Sequence, residues 1–420
     1  MIEIHPIGHL KATVRVPGSK SYTQRAMVAA TLAGGTSCLR NALFSEDTRY
    51  LADALSDLGA GISVRGYDLI VAGTGGRIAT PDKELFVGNN GTALRFLTAL
   101  VSLGQGTYTV TGEPRLCERP LRPLLEALQS LGMAVHTADG AGYPPVRIES
   151  SGLGGGQVTF RDTESSQYVS ALLLAAPYAQ GDVTVHLEGH TVSQPYIGMT
   201  VDVMSAFGVT VTAEDGQLYH IPGKQSYLGR EYTVDGDASS ASYFFLAAVL
   251  CRGTVRVTNM NPRSRQGDLR LLDCLETLGC TVRRGEAWIE VTGRPLPEGE
   301  YHFDMGDMPD MAPTMAMLSA FRPGRTVIGN VAHLRIKESN RIAALVTELN
   351  RIGVRSEERP DGLVIDGGQP RGAEIETYND HRIAMSFAVA GLAVPGMKIG
   401  NERCINKSFP GFWDALGGLI

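Results

Sequence analysis

The chain has 420 residues, 43% of them hydrophobic and 20% charged, with a formal net charge of -6. That length exceeds the ~250–300 residues at which a single core stops growing, so two domains are expected, and the composition excludes a disordered chain. The acidic balance excludes broad nucleic-acid binding, which calls for a basic domain, and leaves room only for local anion sites. The opening Met1-Ile2-Glu3-Ile4-His5-Pro6 reads as a strand with no basic and apolar leader ahead of it. The longest apolar stretches, such as 241–250, fall well short of the ~20 residues of a membrane span. A cytoplasmic protein is expected, one that engages neither membrane nor nucleic acid. Cys38, Cys117, Cys251, Cys274, Cys280 and Cys404 form no C-x-x-C pair and no zinc spacing, so reduced thiols and no metal are expected.

Six apolar runs of about a dozen residues each end at a glycine and give way to a short β-branched segment. Those glycines are Gly35, Gly106, Gly181, Gly253, Gly324 and Gly396, and their successive differences are 71, 75, 72, 71 and 72 residues. Spacing this even makes the chain six copies of one unit. The intervening runs 51–58, 124–131, 201–207, 271–278 and 345–352 have the apolar period of helices. Each stops at a glycine suited to a left-handed cap: Gly59, Gly132, Gly208, Gly279 and Gly353. Strand-like stretches such as Ile62-Ser63-Val64 and Cys280-Thr281-Val282 follow, and the last copy ends in 413–416. Each unit therefore holds two helices and several short strands, with three units per domain as the simplest division.

Aligning the copies by their glycines collects polar residues at the starts of the first helices. In chain order these are Ser19-Lys20-Ser21, Asn89-Asn90-Gly91-Thr92, Ser165-Ser166-Gln167, Ser239-Ser240, Asp310 and Asp380-His381-Arg382. All are plausible N-terminal signals, and a helix N-terminus attracts phosphate or carboxylate through its unpaired N–H groups. The second-helix starts concentrate cations: Arg115 and Arg119 near Pro120, Arg263-Ser264-Arg265, Arg335-Ile336-Lys337-Glu338-Ser339-Asn340-Arg341, and Lys407 near Pro410. Ser45-Glu46-Asp47 and Ser193-Gln194-Pro195-Tyr196 complete that set, and Pro120, Pro195 and Pro410 suit a first helical turn. Lysine or arginine there opposes the macrodipole by about 0.3–1 kcal/mol, and an anion between dipole and cation turns the conflict into cooperation. For any one residue a solvated surface charge is the ordinary reading, but recurrence across the copies favours anion binding. Neither a P-loop nor G-x-G-x-x-G is present, and no nucleophile elbow marks a covalent triad.

Several ordered motifs resemble the 3-phosphoshikimate 1-carboxyvinyltransferase (EPSP synthase) family. They are Pro17-Gly18-Ser19-Lys20-Ser21 up to Arg25, Gly88-Asn89-Asn90-Gly91-Thr92-Ala93-Leu94-Arg95 and Gly112-Glu113-Pro114-Arg115 in the first half. In the second half they are Asp235-Gly236-Asp237-Ala238-Ser239-Ser240-Ala241, Pro309-Asp310, Leu334-Arg335-Ile336-Lys337-Glu338-Ser339-Asn340-Arg341 and Asn379-Asp380-His381-Arg382. The resemblance spans essentially the whole chain. It implies a mixed α/β (α+β) fold of two domains, each of three β-α-β-α-β-β units around buried helices, with the active site in the cleft between them. It also implies a discontinuous first domain, 1–17 plus 235–420, that carries Asp310, Glu338, Arg382 and Lys407, and a second, 18–234, that carries Arg25, Arg115, Ser165 and Gln167. The implied reaction moves the enolpyruvyl group of phosphoenolpyruvate to the 5-hydroxyl of shikimate 3-phosphate by addition and elimination of phosphate. This is a step of the shikimate pathway towards chorismate and the aromatic amino acids. No metal or organic cofactor is implied, and a monomer is expected.

Carried over position by position, the resemblance implies that Lys20, Ser21, Arg25, Ser165, Ser166, Gln167, Ser193, Tyr196, Asp310 and Lys337 hold shikimate 3-phosphate. It implies that Asn89, Gly91, Arg115, Arg341, Arg382 and Lys407 hold phosphoenolpyruvate, with Lys20 and Gln167 near both substrates and Arg95 just behind. A Cβ at position 91 would obstruct the ligand's approach. Asp310 matches the proton acceptor for the attacking hydroxyl, and Glu338 the proton donor to the methylene carbon. Glu338 must then hold a proton near neutral pH, against the pull of Lys337 and Arg341. Without the resemblance, Asp310 as a helix cap and Glu338 as an ion-pair partner are the ordinary readings.

Two positions depart from the family pattern: Asn90 replaces a common alanine, and His333 replaces an asparagine found in some members. Asn90 is expected to border the phosphoenolpyruvate pocket and to alter affinity for glyphosate, the family's inhibitor. Two rival functions remain at this point. One is the sister enolpyruvyl transferase acting on UDP-N-acetylglucosamine, associated with a loop cysteine; Cys117 lies in that loop, closer to Arg119-Pro120 than expected. The other is a non-catalytic six-unit scaffold that binds anions, whose mark would be loss of Asp310, Glu338 or the cations, and none is missing.

Overall fold

The computed structural model describes residues 1–138 and 140–419. In chain order the helices are α1 (Lys20–Leu32), α2 (Glu46–Asp57), α3 (Gly91–Leu100), α4 (Pro114–Cys117), α5 (Arg122–Ser130), α6 (Ser166–Ala175) and α7 (Pro195–Ala206). They continue with α8 (Ala238–Leu250), α9 (Leu271–Thr277), α10 (Ala312–Ala320), α11 (Arg341–Arg351), α12 (His381–Ala390) and α13 (Phe412–Gly417). The glycine-terminated apolar runs became helices with no polar face. Every residue of α10 and α12 is buried, as are all but two of α8, and a helix apolar on every side is stable only when enclosed. By contrast α2, α5 and α11 bury one apolar stripe, such as Ile342, Leu345 and Leu349 of α11, with Arg341 and Glu348 buried beside it.

The five second helices stop as their sequence demands. Gly59 and Gly353 take φ of +107° and +85°, open to glycine and strained for residues with a Cβ. The next N–H reaches back to close the last turn: Ala60 to Leu55, Met133 to Leu128, Val209 to Met204, Cys280 to Leu275 and Val354 to Leu349, all at 2.9–3.1 Å. One rule of termination thus operates in five of the six copies.

The strands follow the β-α-β-α-β-β pattern. In one copy Gly156–Thr163 runs parallel to Val183–Thr191 across α6, and Val183–Thr191 pairs antiparallel with Leu218–Ile221, itself in a hairpin with Thr212–Glu214. The sheets of Leu85–Phe86, Gln105–Thr111, Val146–Ser151 and Ala134–Thr137, and of Glu300–Asp304, Gly324–Gly329, Gly362–Gly367 and Arg355–Arg359, repeat this order. Two copies have exchanged their first strands. Lys11–Arg15 precedes α1 yet pairs with Thr254–Thr258 after α8, and Glu231–Thr233 precedes α8 yet pairs with Thr36–Arg40 after α1. Where the chain crosses, Gly18 bridges Gly236, Ser19 N–H donates to the Asp235 carbonyl at 2.8 Å, and Asp237 N–H donates to that of Pro17 at 2.9 Å. Contacts divide the chain accordingly into unit 1, Met1–Ser19 with Asp235–Ile420, and unit 2, Lys20–Val234. Each has its own core, with Phe244, Met315 and Phe387 in unit 1 and Leu94, Leu97 and Leu172 in unit 2. Among the described residues the sixth copy forms no hairpin; Ile2–Ile4 fills that place, antiparallel to Met397–Ile399.

Several helix starts differ from the sequence expectation. Asn90, Ser165 and Asp380 are N-caps, but α8 is capped by Asp237, whose carboxylate accepts the Ser240 N–H at 2.7 Å, rather than by Ser239 or Ser240. Asp310 caps nothing: it lies in a 3-10 turn, Pro309–Met311, that leads into α10. Of the three prolines only Pro195 opens a helix; Pro120 and Pro410 precede Leu121 and Gly411, the N-caps of α5 and α13. Arg263-Ser264-Arg265 stands clear of α9 because the Asn261 side chain accepts the Arg263 N–H and a 3-10 turn, Gly267–Arg270, intervenes. Lys407 closes a further such turn, Glu402–Lys407.

Candidate active site

In unit 1 the charged residues converge on Arg341. Asn340 caps α11 by accepting the Ala343 N–H at 3.2 Å, so Arg341 occupies the first helical position, where a cation opposes the macrodipole. The offset comes from the chain itself. Arg341 Nε donates to Asp380 Oδ2 at 2.7 Å, Nη2 to Glu338 Oε2 at 2.7 Å and Asp380 Oδ1 at 3.2 Å, and Nη1 to Asp310 Oδ1 at 2.9 Å. The arginine is 1% exposed and Asp380 0%. Asp380 also accepts the Ser339 hydroxyl and the Arg382 N–H, both at 3.0 Å, the latter as the cap of α12. Arg382 in turn donates to Asp310 Oδ2 at 2.7 Å, so guanidiniums from two helices grip one carboxylate. Lys407 Nζ lies 4.0 Å from Glu338 Oε1.

The electrostatics of this cluster have a definite sign. Burial pushes the Asp310 carboxyl up, but Arg382, Lys337 and Arg341 outweigh it and hold the group well below the usual carboxylate range. Burial likewise works against the charge on Arg341, and Asp380, Glu338 and Asp310 reverse it, so the guanidinium is held more firmly protonated than usual. With 22% of its side chain exposed, Asp310 is an ionised carboxylate that a ligand can reach. Lys337, Arg341, Arg382 and Lys407 face Asp310, Glu338 and Asp380, and the buried Asp268 carboxylate stands beside Arg382 and Asp310. His333 is buried in the 3-10 turn Ala332–Ile336, just ahead of Lys337.

In unit 2, Lys20 begins α1 and its ammonium lies 2.8 Å from Asp47 Oδ2, in the first turn of α2 behind the Ser45 cap. Arg25, one turn on, is enclosed. Its Nε donates to Thr200 Oγ1 at 2.7 Å, Nη1 to the Ser21 carbonyl at 3.0 Å, and Nη2 to the Tyr196 carbonyl at 3.2 Å and Ser170 Oγ at 3.4 Å. The Phe96 and Tyr196 rings flank it at 5.3 and 5.9 Å, and burial lowers its pKa to about 10. Ser165 caps α6 through the Gln167 N–H at 3.3 Å, Ser166 is buried beside it, and Gln167 Oε1 accepts from Arg95 Nη1 at 3.1 Å. Ser193, at φ +59°, and Tyr196 bracket the start of α7.

Asn90 is buried and ties three elements together. Its Oδ1 accepts the Thr92 and Ala93 N–H groups at the start of α3, and its Nδ2 donates to Gln24 Oε1 at 2.8 Å and the Asp47 carbonyl at 2.7 Å. Asn89, half-buried, precedes it. A Cβ on Gly91 would fall 2.6 Å from Arg95 Nη1 and 2.7 Å from Arg119 Nη1, so two guanidiniums already press on this glycine. Arg115, in α4, is about one-third exposed and pairs with Glu118 at 2.5 Å. Cys117 closes the same short helix, its thiol 3.6 Å from the Gly112 carbonyl.

Within unit 1 the structure thus gathers Asp310, Lys337, Glu338, Arg341, Arg382 and Lys407, and within unit 2 it links Ser21, Arg25 and Tyr196, and separately Gly91, Arg95 and Gln167. Sequence reasoning placed Asp47, Asp380 and Arg119 at helix starts but not as partners of Lys20, Arg341 and Gly91. The available signal was the misplaced cation at a helix start, which demands a nearby anion whether bound or built in. Among the described residues no group of three His, Cys, Asp or Glu is placed to hold a metal, and no helix is long and apolar enough to cross a membrane.

The family profile described as EPSP synthase (3-phosphoshikimate 1-carboxyvinyltransferase) matches residues 4–416. A protein of Trichormus variabilis named 3-phosphoshikimate 1-carboxyvinyltransferase is 45% identical over 411 residues, 97% of this chain and 96% of its own. One of Syntrophobacter fumaroxidans with the same name is 42% identical over 421 residues, 99% of each chain. Among solved structures, an EPSP synthase of Acinetobacter baumannii is similar with a TM-score of 0.82 and 28% identity, over 99% of this chain and 97% of that one.

Proposed function

Because the chain belongs to the EPSP synthase (3-phosphoshikimate 1-carboxyvinyltransferase) family, we propose that it transfers the enolpyruvyl group of phosphoenolpyruvate to the 5-hydroxyl of shikimate 3-phosphate. The products are 5-enolpyruvylshikimate 3-phosphate and phosphate, and the step belongs to the shikimate pathway. The observation that carries the reading is Asp310, ionised and still reachable, between the guanidiniums of Arg341 and Arg382. A base beside two anion-binding cations suits an attack by a hydroxyl on a phosphorylated enol.

In this reading Asp310 takes the proton of the 5-hydroxyl as its oxygen bonds to C2 of phosphoenolpyruvate, and Glu338 gives a proton to the methylene carbon. In the elimination the Glu338 carboxylate takes a proton back from the new methyl group as the C2–O bond to phosphate breaks, phosphate leaves and the double bond returns. Arg341, Arg382, Lys407, Arg115, Asn89 and Gly91 receive phosphoenolpyruvate. Ser21, Arg25, Ser165, Ser166, Ser193, Tyr196 and Lys337 receive shikimate 3-phosphate, and Lys20 and Gln167 serve both. The anions of phosphoenolpyruvate compete for Arg341 and Lys407, the two cations beside Glu338, and so favour the protonated form that a proton donor requires. Arg25 meets its ligand only by exchanging contacts with Thr200, Ser170 or backbone carbonyls, which suits a residue that aligns Ser21 and Tyr196 as well as binding. Cytoplasmic residence and a monomeric state belong to the same reading. Nothing favours the transferase acting on UDP-N-acetylglucosamine, since the family and the named relatives point to shikimate 3-phosphate.

The test is phosphate release by the purified chain. Release is expected only with both substrates present; a folded protein that stays silent with authentic substrates, or that accepts UDP-N-acetylglucosamine instead, refutes the assignment.

A further inference from the structure

Arg382 has a second tether besides Asp310. Its Nη2 donates to Ser239 Oγ at 3.4 Å, and the Ser239 hydroxyl donates its single proton to Asp268 Oδ2 in a short hydrogen bond. The three groups come from three elements: Arg382 from the first turn of α12, Ser239 from the first turn of α8, and Asp268 from the 3-10 turn before α9. Asp268 is only 3% exposed, costly for a carboxylate without a task. Arg382, which carries donors only, cannot take the serine proton, so that proton is directed to Asp268 and the oxygen lone pairs face the guanidinium. A hydroxyl that donates to a carboxylate is also the better acceptor, because charge moves along the chain of bonds.

We infer that Asp268 is a positioning residue for the transfer reaction: acting through Ser239, it holds the Arg382 guanidinium in place when the substrate's anion displaces Asp310 from it. The inference rests on the proposed function, in which Arg382 receives phosphoenolpyruvate and Asp310 is freed to act as base. In the structure Asp310 itself orients Arg382. Once phosphoenolpyruvate competes for that guanidinium, the bond to Ser239, beside the Tyr243 phenol that also faces Arg382, stays independent of the reacting groups. Burial, with Asp310 next and Asp237 adding to it, outweighs Arg382 and pushes the Asp268 carboxyl up to about 6. At pH 7 it remains largely ionised and able to accept the Ser239 proton.

The experiment compares wild type with Ser239→Ala, Ser239→Thr, Asp268→Ala, Asp268→Asn and the Ser239→Ala/Asp268→Ala pair, all checked for a wild-type circular-dichroism spectrum. Steady-state kinetics give kcat and KM for phosphoenolpyruvate, and calorimetry gives shikimate 3-phosphate affinity alone. Each alanine variant is expected to raise KM for phosphoenolpyruvate about 10-fold, while shikimate 3-phosphate affinity moves less than about twofold. The double variant should lose no more than the worse single one, since both break the same tether. Ser239→Thr and Asp268→Asn, which keep a hydroxyl and an acceptor, should each stay within roughly threefold of wild type. Multiplying losses, an equal loss for both substrates, or a threonine variant as poor as alanine overturns the inference while wild-type turnover stands. An inactive wild type instead overturns the proposed function and this inference with it.

Discussion

Replacing Arg341 with methionine keeps most of its volume and removes a cation that four hydrogen bonds tie to three carboxylates. Asp380 is wholly buried, and Glu338 and Asp310 face the same guanidinium, so the variant leaves like charges together with one cation fewer. At an effective dielectric constant near 20 each contact is worth up to about 4 kcal/mol of attraction, most of it cancelled by desolvation. What is lost when one partner of a buried pair is removed is about 3–5 kcal/mol. The assay can be confined to unit 1, because both tryptophans, Trp288 and Trp413, lie within it. Urea unfolding followed by tryptophan fluorescence should therefore show an unfolding free energy lowered by that amount at pH 7. The pH dependence fixes the cause. In wild type the depressed Asp310 carboxyl contributes stability that is present above the unfolded pKa, near 4, and lost as pH falls through its lower folded value. Without Arg341 the crowded carboxylates bind protons more readily than in the unfolded chain, so the variant recovers stability as pH falls from 7 towards 4. The gap between the two proteins should narrow over that range. A loss below about 1 kcal/mol, or a gap that widens as pH falls, would refute the reasoning.

Asn90→Ala removes a cap with two accepted N–H groups and two donated bonds, and should cost about 1–2 kcal/mol by calorimetry and change inhibition by glyphosate; unchanged inhibition sinks the latter idea. Replacing Arg25 with methionine should weaken shikimate 3-phosphate binding about 10-fold in a titration, and an unaltered affinity would count against its role. Asp268, raised to about 6, contributes stability that is fully present below the unfolded pKa near 4 and lost as pH rises through about 6. Asp268→Asn should flatten the stability profile of unit 1 between pH 4 and 7, a range tryptophan fluorescence can follow; a profile as steep as wild type rules that out.

The repeat was legible because its punctuation is chemical: each αL cap needs glycine, and five of them recur at Gly59, Gly132, Gly208, Gly279 and Gly353. The buried helices were legible for a similar reason, since a dozen apolar residues without a polar face can only be enclosed. The strand exchange was not. Lys11–Arg15 and Glu231–Thr233 are ordinary short strands, and their pairing with partners across the sequence depends on packing that no local pattern records. In the candidate site, sequence showed cations where the macrodipole disfavours them and pointed to an external anion. The chain supplies its own in Asp47 and Asp380, and acidic residues beside a cap read locally as part of the cap. Asp310 was read at a helix start, but its setting in a 3-10 turn rather than at a cap follows from Pro309 and the arginines of α11 and α12.

The exchanged strands also set an order of synthesis. Every strand of unit 2, including Glu231–Thr233, has left the ribosome once Val234 emerges, so this unit can close while the rest of the chain is still being made. The early strands of unit 1 must wait. Lys11–Arg15 finds its partner only when Thr254–Thr258 appears, and Ile2–Ile4 only with Met397–Ile399. Both strands thus stay unpaired through the whole synthesis of unit 2, and the charges of Glu3, Lys11 and Arg15 keep these short edges soluble in the meantime.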